Sequence, residues 1–421
     1  MSTTTTQPEL AENRPFAWLR ALGPRGRRAF GGAFGGYALD SYDFQVLPLA
    51  MTAIGAYFGI SKGEAGLLTT VTLVVSAIGG VIAGALADRI GRANALLITV
   101  ATYAVFTVLC GFAPNFGTLL AFRALQGLGF GGEWAAGAIL VAEYSSNRYR
   151  GRTVAFIQSS WAVGWALAVL VYTIVFSAIG PDTAWRVLFW TGALPALLVL
   201  FIRRSVKDAP EATERRKSMQ RRPLRAIFGR ELGWTTLWAT LLATGVQGGY
   251  YTLATWVPTY LKSDRGLTVV GTGGYLAFLI SGAFIGYVCG GYLTDLLGRK
   301  KNIVIFAVLS AILILGYTHL PHGADTAVLI LGFPLGFCTS AIFSGFGSYL
   351  AELYPAEVRG TGQGFTYNFG RAVGAFFPTV VGFLASSSLG VGGAMAFGAL
   401  GYAVAALALF GLPETRGANL T

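Results

Sequence analysis

The chain has 421 residues, of which 54% are apolar, only 12% are charged and 58 are glycine, with a net charge of +12. Soluble domains carry about a quarter charged residues, so a water-soluble shell is excluded and the composition calls for a bilayer. The three cysteines, Cys110, Cys289 and Cys338, lie inside apolar stretches without metal-ligand spacing and read as small core residues.

A helix crossing a membrane needs about 20 apolar residues, and twelve stretches qualify. Residues 1–28 form a polar, cytoplasmic N-terminal arm ending in Pro24-Arg25-Gly26-Arg27-Arg28; with the first apolar run only after it, the arm is not a signal peptide. The first span, 29–54, carries Asp40 and Asp43 on one helical face. Spans 65–87 and 94–112 follow, joined through GALADRIGRAN at 84–94. The fourth span, 116–141, contains Arg123, a glycine tract over 127–132 and then Glu133. Such small residues permit close helix packing; no Lys-Ser/Thr follows, so the tract is not a phosphate cradle. After AEYSSNRYRGR at 142–152 come the fifth span, 153–179, with Gln158, Trp161 and Trp165, and the sixth, 185–202.

A polar stretch over 203–232, with ten Lys/Arg and four Asp/Glu, divides a six-helix unit (29–202) from a second one (233–412) and is expected to include an interfacial helix. The seventh span, 234–260, brings Gln247, Tyr250 and Tyr251. Spans 271–294 and 302–319 flank GGYLTDLLGRKKN at 290–302, and His319 and His322 near the ninth span's end read as loop residues. The tenth span, 325–350, leads through AELYPAEVRGT at 351–361 into the eleventh, 361–386, where Tyr367 and Asn368 share a helical face with Arg371. The twelfth, 391–411, precedes a tail over 413–421.

Two motifs recur at nearly one offset. Asp88 and Arg92 return as Asp295 and Arg299, 207 residues on; Glu143 and Arg150 return as Glu352 and Arg359, 209 residues on. A duplicated six-helix unit follows. With both termini in the cytoplasm, 25 of the 31 basic residues fall in the N-terminal arm, the loops on that side and the tail, as the positive-inside rule requires. The positive charge is therefore topology, and nucleic acid need not be invoked.

Charges inside spans cost at least about 2.5 kcal/mol each near the helix centre unless they face the protein interior. Depth arithmetic at 1.5 Å per residue puts Asp43 level with Arg123, and Asp40, about 18 Å in, level with Arg371, about 16 Å in. Arg371, Asn368 and Tyr367 then form a donor-rich platform near the midplane, and an arginine fork suits a carboxylate. A purely structural Asp40–Arg371 bridge is the plain alternative.

The repeated G-x-L-x-D-x-x-G-R form and the parallel six-plus-six plan resemble the major facilitator superfamily over the whole chain. The resemblance implies an all-α fold of twelve spans in two pseudo-symmetric bundles, with Asp88, Arg92, Asp295, Arg299, Glu143, Arg150, Glu352 and Arg359 as cytoplasmic gate motifs. More narrowly, Asp40-Ser41-Tyr42-Asp43, the run from Arg123 to Trp134, and Thr366-Tyr367-Asn368-Phe369-Gly370-Arg371 are similar to the sialate, metabolite and aromatic acid proton symporters, a group that includes lactate carriers; Ser41 stands where that pattern usually has glycine. This implies a bacterial-type inner-membrane symporter, monomeric and without a cofactor, that imports an organic carboxylate with protons. Asp40 and Asp43 would couple protons, with Glu133 as relay or inner-gate partner. Arg371, with Asn368, Tyr367, Gln247, Tyr250, Tyr251, Arg123 and Gln158, would meet the substrate. Competing functions are a proton-coupled exporter, which would carry a glycine-proline element that the fifth span lacks, a nutrient sensor on the same scaffold, and a membrane hydrolase, for which no nucleophile, base or metal set is present.

Overall fold

The computed structural model describes residues 19, 22–144, 150–194, 224–355 and 357–416, the side chains of 87, 88, 92, 93, 132–144, 150–152 and 154 excepted. The N-terminal arm up to residue 18, the linker from 203 to 223 and the tail beyond 416 lie outside the described residues.

The described residues are helical throughout, without strands. The first half runs α1 (Gly23–Phe58), α2 (Lys62–Ile90), α3 (Arg92–Cys110), α4 (Phe116–Tyr144), α5 (Arg150–Ala178) and α6 (Pro181–Trp190), followed by a 3-10 turn at Thr191–Ala193 and a helical Leu194, with 195–202 outside the described residues. The second runs α7 (Gly233–Thr259), α8 (Val269–Leu297), α9 (Arg299–His319), α10 (Asp325–Glu352), α11 (Arg359–Gly374), α12 (Phe376–Ala385), α13 (Gly390–Met395) and α14 (Phe397–Ala408). Eleven of the twelve expected spans are described over their length and the sixth only up to Leu194; α11 with α12 and α13 with α14 each make one crossing in two pieces. The break in the eleventh has a clear cause: Pro378 has no N–H to give the carbonyl of Gly374 four residues back. Where an interfacial helix is expected in the linker, the described part is a short 3-10 turn at Leu224–Phe228.

Packing repeats between the halves. In the first, α1 packs on α5, α2 on α4 and α3 on α4; in the second, α7 packs on α11, α8 on α10 and α9 on α10. The repeated loop motif repeats in its backbone as well. Gly91 has φ 90° and ψ 158°, and Gly298 has φ 94° and ψ 160°, a region that strains any other residue. The glycine tract of α4 sits against α2 so tightly that a Cβ on Gly131 would lie 1.7 Å from the Ser76 carbonyl oxygen. The halves meet where α5 faces α8 and where α2 faces α11 and α12.

Among the described residues, six spans are long and apolar enough to cross a membrane on composition alone: Lys62–Leu86, Ala155–Ala178, Val269–Leu297, Arg299–His319, Asp325–Glu352 and Gly390–Gly411. Span three is apolar but shorter, at Asn94–Cys110, span six is described only in part, and spans one, four, seven and eleven are not in that set either. Those last four carry intramembrane charge or the Gln247-Tyr250-Tyr251 face, and with α5, α8 and α10 they line one cavity.

Candidate functional site

The cavity lies at the meeting of the two halves, between Tyr37 and Asp40 of α1, Phe130 of α4, Trp161 of α5, Tyr250 and Tyr251 of α7, and Arg371 of α11. Tyr287 of α8, Phe343 of α10 and Tyr367 complete its wall. Its volume is about 20 Å³ in this conformation, room for one or two water molecules. Phe44, one helical turn beyond Asp40, closes it on the side away from the repeated loop motifs, its ring 5.8 Å from Phe130, 5.9 Å from Trp161 and 5.6 Å from Tyr251. Behind Phe44 the halves are sewn together. Thr70 donates to the Ala375 carbonyl and pairs with Thr379, each at 2.6 Å, and Lys62 Nζ donates to the Ala385 carbonyl at 3.2 Å.

Arg371 is buried, 4% exposed. Its guanidinium lies over Tyr367 at 5.0 Å and Phe130 at 5.5 Å from the ring centroids, cation–π positions that hold a cation in a dry place. Nη2 reaches the Tyr367 hydroxyl at 3.3 Å and Nη1 reaches Ser76 Oγ of the opposite half at 3.4 Å, both long contacts for a charged donor. Nε has no hydrogen-bond partner among the described residues. The fork thus keeps capacity for an acceptor that is better than any it now has. Asp40, 1% exposed, shares the cavity with it.

The other predicted residues divide into those on the cavity and those behind it. Tyr250, Tyr251 and Tyr367 line it. Gln247 donates through Nε2 to the Tyr367 carbonyl at 2.9 Å and so fixes α7 to α11. Asn368, half-buried, donates to the Gly364 carbonyl of its own helix at 2.9 Å, and Gln158 is buried in α5. Asp43 and Arg123 belong to a second polar cluster between α1, α3 and α4. There Thr107 donates to Asp43 Oδ2 at 3.0 Å, Gln126 donates to Thr107 at 2.6 Å, and Arg123 donates to Gln126. Two residues at i, i+3 on α1 therefore serve two different environments. The side chain of Glu133 lies outside the described residues.

Of the gate motifs, the second copy is described. Arg299 Nε lies 3.2 Å from Glu352 Oε2, and its Nη1 lies 3.3 Å from Asp295, which joins the α8–α9 loop to the end of α10. Arg359 stands apart and donates to the Tyr354 carbonyl at 3.4 Å. The side chains of Asp88, Arg92, Glu143 and Arg150 lie outside the described residues. Glu414, not singled out in the sequence, accepts the backbone N–H groups of Arg299 and Lys300 at 3.0 and 3.1 Å; a carboxylate at a helix start is favoured by the helix dipole. The signal was an acidic residue directly after the last span. Tyr287 and Phe343 were also missed, because each is one aromatic residue in an apolar run and nothing but packing turns it inward.

Among the described residues no group of His, Cys, Asp or Glu could hold a metal ion. The arrangement can bind an anion in an aromatic enclosure, and it contains no nucleophile and base pair.

Comparison with known proteins gives the family. The family model described as Major Facilitator Superfamily matches residues 33–378 and 276–421. A probable 4-methylmuconolactone transporter of Cupriavidus pinatubonensis is 41% identical over 96% of this chain and 94% of its own length. A cis,cis-muconate transport protein of Acinetobacter baylyi is 30% identical over 86% of this chain and 89% of its own. The crystal structure of a D-xylose–proton symporter superposes with a TM-score of 0.75 at 20% identity, covering 94% of this chain and 99% of that one.

Proposed function

The chain belongs to the Major Facilitator Superfamily, as a multi-pass inner-membrane transporter and not an enzyme, and from that premise we propose that it is a symporter importing an organic carboxylate anion together with protons. One observation carries the reading: a buried arginine whose Nε has no hydrogen-bond partner among the described residues shares an aromatic cavity between the two halves with an aspartate. The names of the two relatives, both carriers of unsaturated acids or their lactones, support the same substrate class.

The chemistry follows from desolvation. A carboxylate closed into a low-dielectric cavity favours protonation, and a neighbouring guanidinium opposes it. When a substrate carboxylate engages the Arg371 fork, the cation is satisfied and its hold on Asp40 weakens, so Asp40 takes a proton. Substrate and proton thus bind cooperatively, and the load that crosses is a paired arginine and a neutral carboxylic acid. Without the proton a surplus negative charge would be enclosed, at a cost of several kcal/mol. Alternating access then moves the halves about this fixed site. The Thr70–Thr379 seam is the closed gate of the present conformation, and the Arg299 cluster belongs to the gate on the other, cytoplasmic side.

Uptake into proteoliposomes under an inward proton gradient tests this, with labelled lactate, benzoate and sialic acid as probes. At least one acid accumulates, and Arg371→Ala and Asp40→Asn both lose the gradient-driven component. Failure of all three acids, with the protein folded, removes the carboxylate reading.

A further inference from the structure

Four cations, Lys62, Arg186, Lys262 and Arg265, stand on the outer side, away from the repeated loop motifs and against the positive-inside bias. Two of them act within one half. Arg265 donates to the Tyr260 hydroxyl at 2.8 Å and to the carbonyls of Leu320 and Pro321 at 2.6 and 2.7 Å. Arg186 donates to the carbonyls of Gly111 and Ala113, each at 2.9 Å, with its guanidinium over Trp185. The two lysines instead cross from one half to the other. Lys62, the first residue of α2, gives its ammonium to the carbonyl of Ala385, the last residue of α12, at 3.2 Å. Lys262, in the π-helical turn Tyr260–Asp264 that closes α7, lies over the Phe176 ring of α5 at 5.7 Å. The two positions match in the duplicated plan, each between the first and second helix of its half, and the crossings run in opposite directions. Neither lysine has an ion pair among the described residues.

We propose that Lys62 and Lys262 form a two-point latch that holds the outer gate closed. Each ammonium loses its partner when the halves separate on that side, because the partner belongs to the other half, whereas Arg186 and Arg265 keep theirs. A helix-end carbonyl carries partial negative charge that favours a cation, and a ring face does the same, so each crossing adds attraction beside the neutral Thr70–Thr379 pair. Both are weaker than a buried ion pair, and a freed ammonium is strongly hydrated, so the latch opens readily. It also frees no carboxylate. A lysine–aspartate bridge between the halves would leave an acid at the opened mouth that repels an incoming anion, while this arrangement leaves two cations there. The latch stands on the cross-half contacts alone; its fit to an anion rests on the carboxylate reading above.

The separation of the outer ends of the halves tests it, in the full-length protein in nanodiscs without substrate. Spin labels at Ile179→Cys, beyond α5, and Leu389→Cys, between α12 and α13, both exposed positions, report closed and separated populations by double electron–electron resonance once the three native cysteines are replaced by alanine. Lys62→Met and Lys262→Met each raise the separated-to-closed ratio about threefold to tenfold, the worth of one weak polar contact, and the double variant raises it further. Lys62→Arg and Lys262→Arg keep the wild-type ratio, since a guanidinium serves both contacts. Arg186→Met, which removes the same kind of contact within one half, leaves the ratio unchanged. Should a methionine variant fail to fold, Phe176→Leu, which takes the ring from the opposite half, gives the rise expected of Lys262→Met. A wild-type ratio in the folded variants, or an equal rise in Arg186→Met, overturns the latch and leaves the carboxylate reading, which gradient-driven uptake tests separately, as it stands.

Discussion

Arg371 and Arg123 show how far a single residue can be read. Both are arginines in apolar runs, and both had to face the interior on energetic grounds. Depth arithmetic put each beside an aspartate, but depth does not tell which pair faces the substrate path. Rotation about the helix axis decides that, and it is set by neighbours: Arg371 lies over Phe130 and Tyr367 in the cavity, Arg123 against Gln126 behind it. The two should therefore respond differently to conservative change. Arg371→Lys keeps the charge and loses the planar fork, and is expected to cut the uptake efficiency about tenfold to a hundredfold, by the value of a charge-assisted bond; initial rates across substrate concentration measure it. Asp40→Asn should retain substrate exchange between equilibrated compartments while losing accumulation driven by a pH gradient. Raised external pH should slow wild-type uptake and leave exchange by the variant flat, because the variant has no carboxylate to protonate.

Whole elements were legible where the pattern was redundant. Apolar runs located the twelve crossings, and the glycine tract of α4 marked a close helix contact that is now seen against α2. What the pattern did not contain was the break at Ala375, where the proline sits inside an otherwise continuous apolar run, nor the joining of α2 to α12 across the two halves. That seam depends on small residues from distant parts of the chain. A Cβ on Gly66 would stand 2.6 Å from the Pro378 carbonyl oxygen, so Gly66→Val should prevent the seam from closing and bias the protein toward opening on that side. Labelling of a cysteine introduced at Thr70, with a membrane-impermeant maleimide added outside right-side-out vesicles, should rise several-fold. Gly131→Val acts within one half instead. It forces α2 and α4 apart, at a cost of at least about 1–3 kcal/mol, and should lower the melting temperature in detergent without changing which side is open.

At the scale of the molecule, the duplication was the clearest message of the sequence, and matching helix pairs and the matched Gly91 and Gly298 dihedrals give it a structural form. Orientation is a separate matter, carried by the basic residues. A fluorescent protein fused after Arg416 should be bright and an alkaline phosphatase at the same point inactive, as a cytoplasmic terminus requires. Substrate identity was the least legible property, because the pocket walls come from aromatic residues on seven helices that no local spacing connects. The central claim, that anion and proton cross together through the Arg371–Asp40 cavity, has a direct test in substrate-driven proton movement. Proteoliposomes containing a trapped pH dye, with no imposed gradient, are given a transported acid at a pH well above that acid's own pKa. The lumen should acidify faster than in protein-free vesicles, and this excess should vanish in Asp40→Asn. Substrate entry at the wild-type rate without any excess acidification would contradict the account.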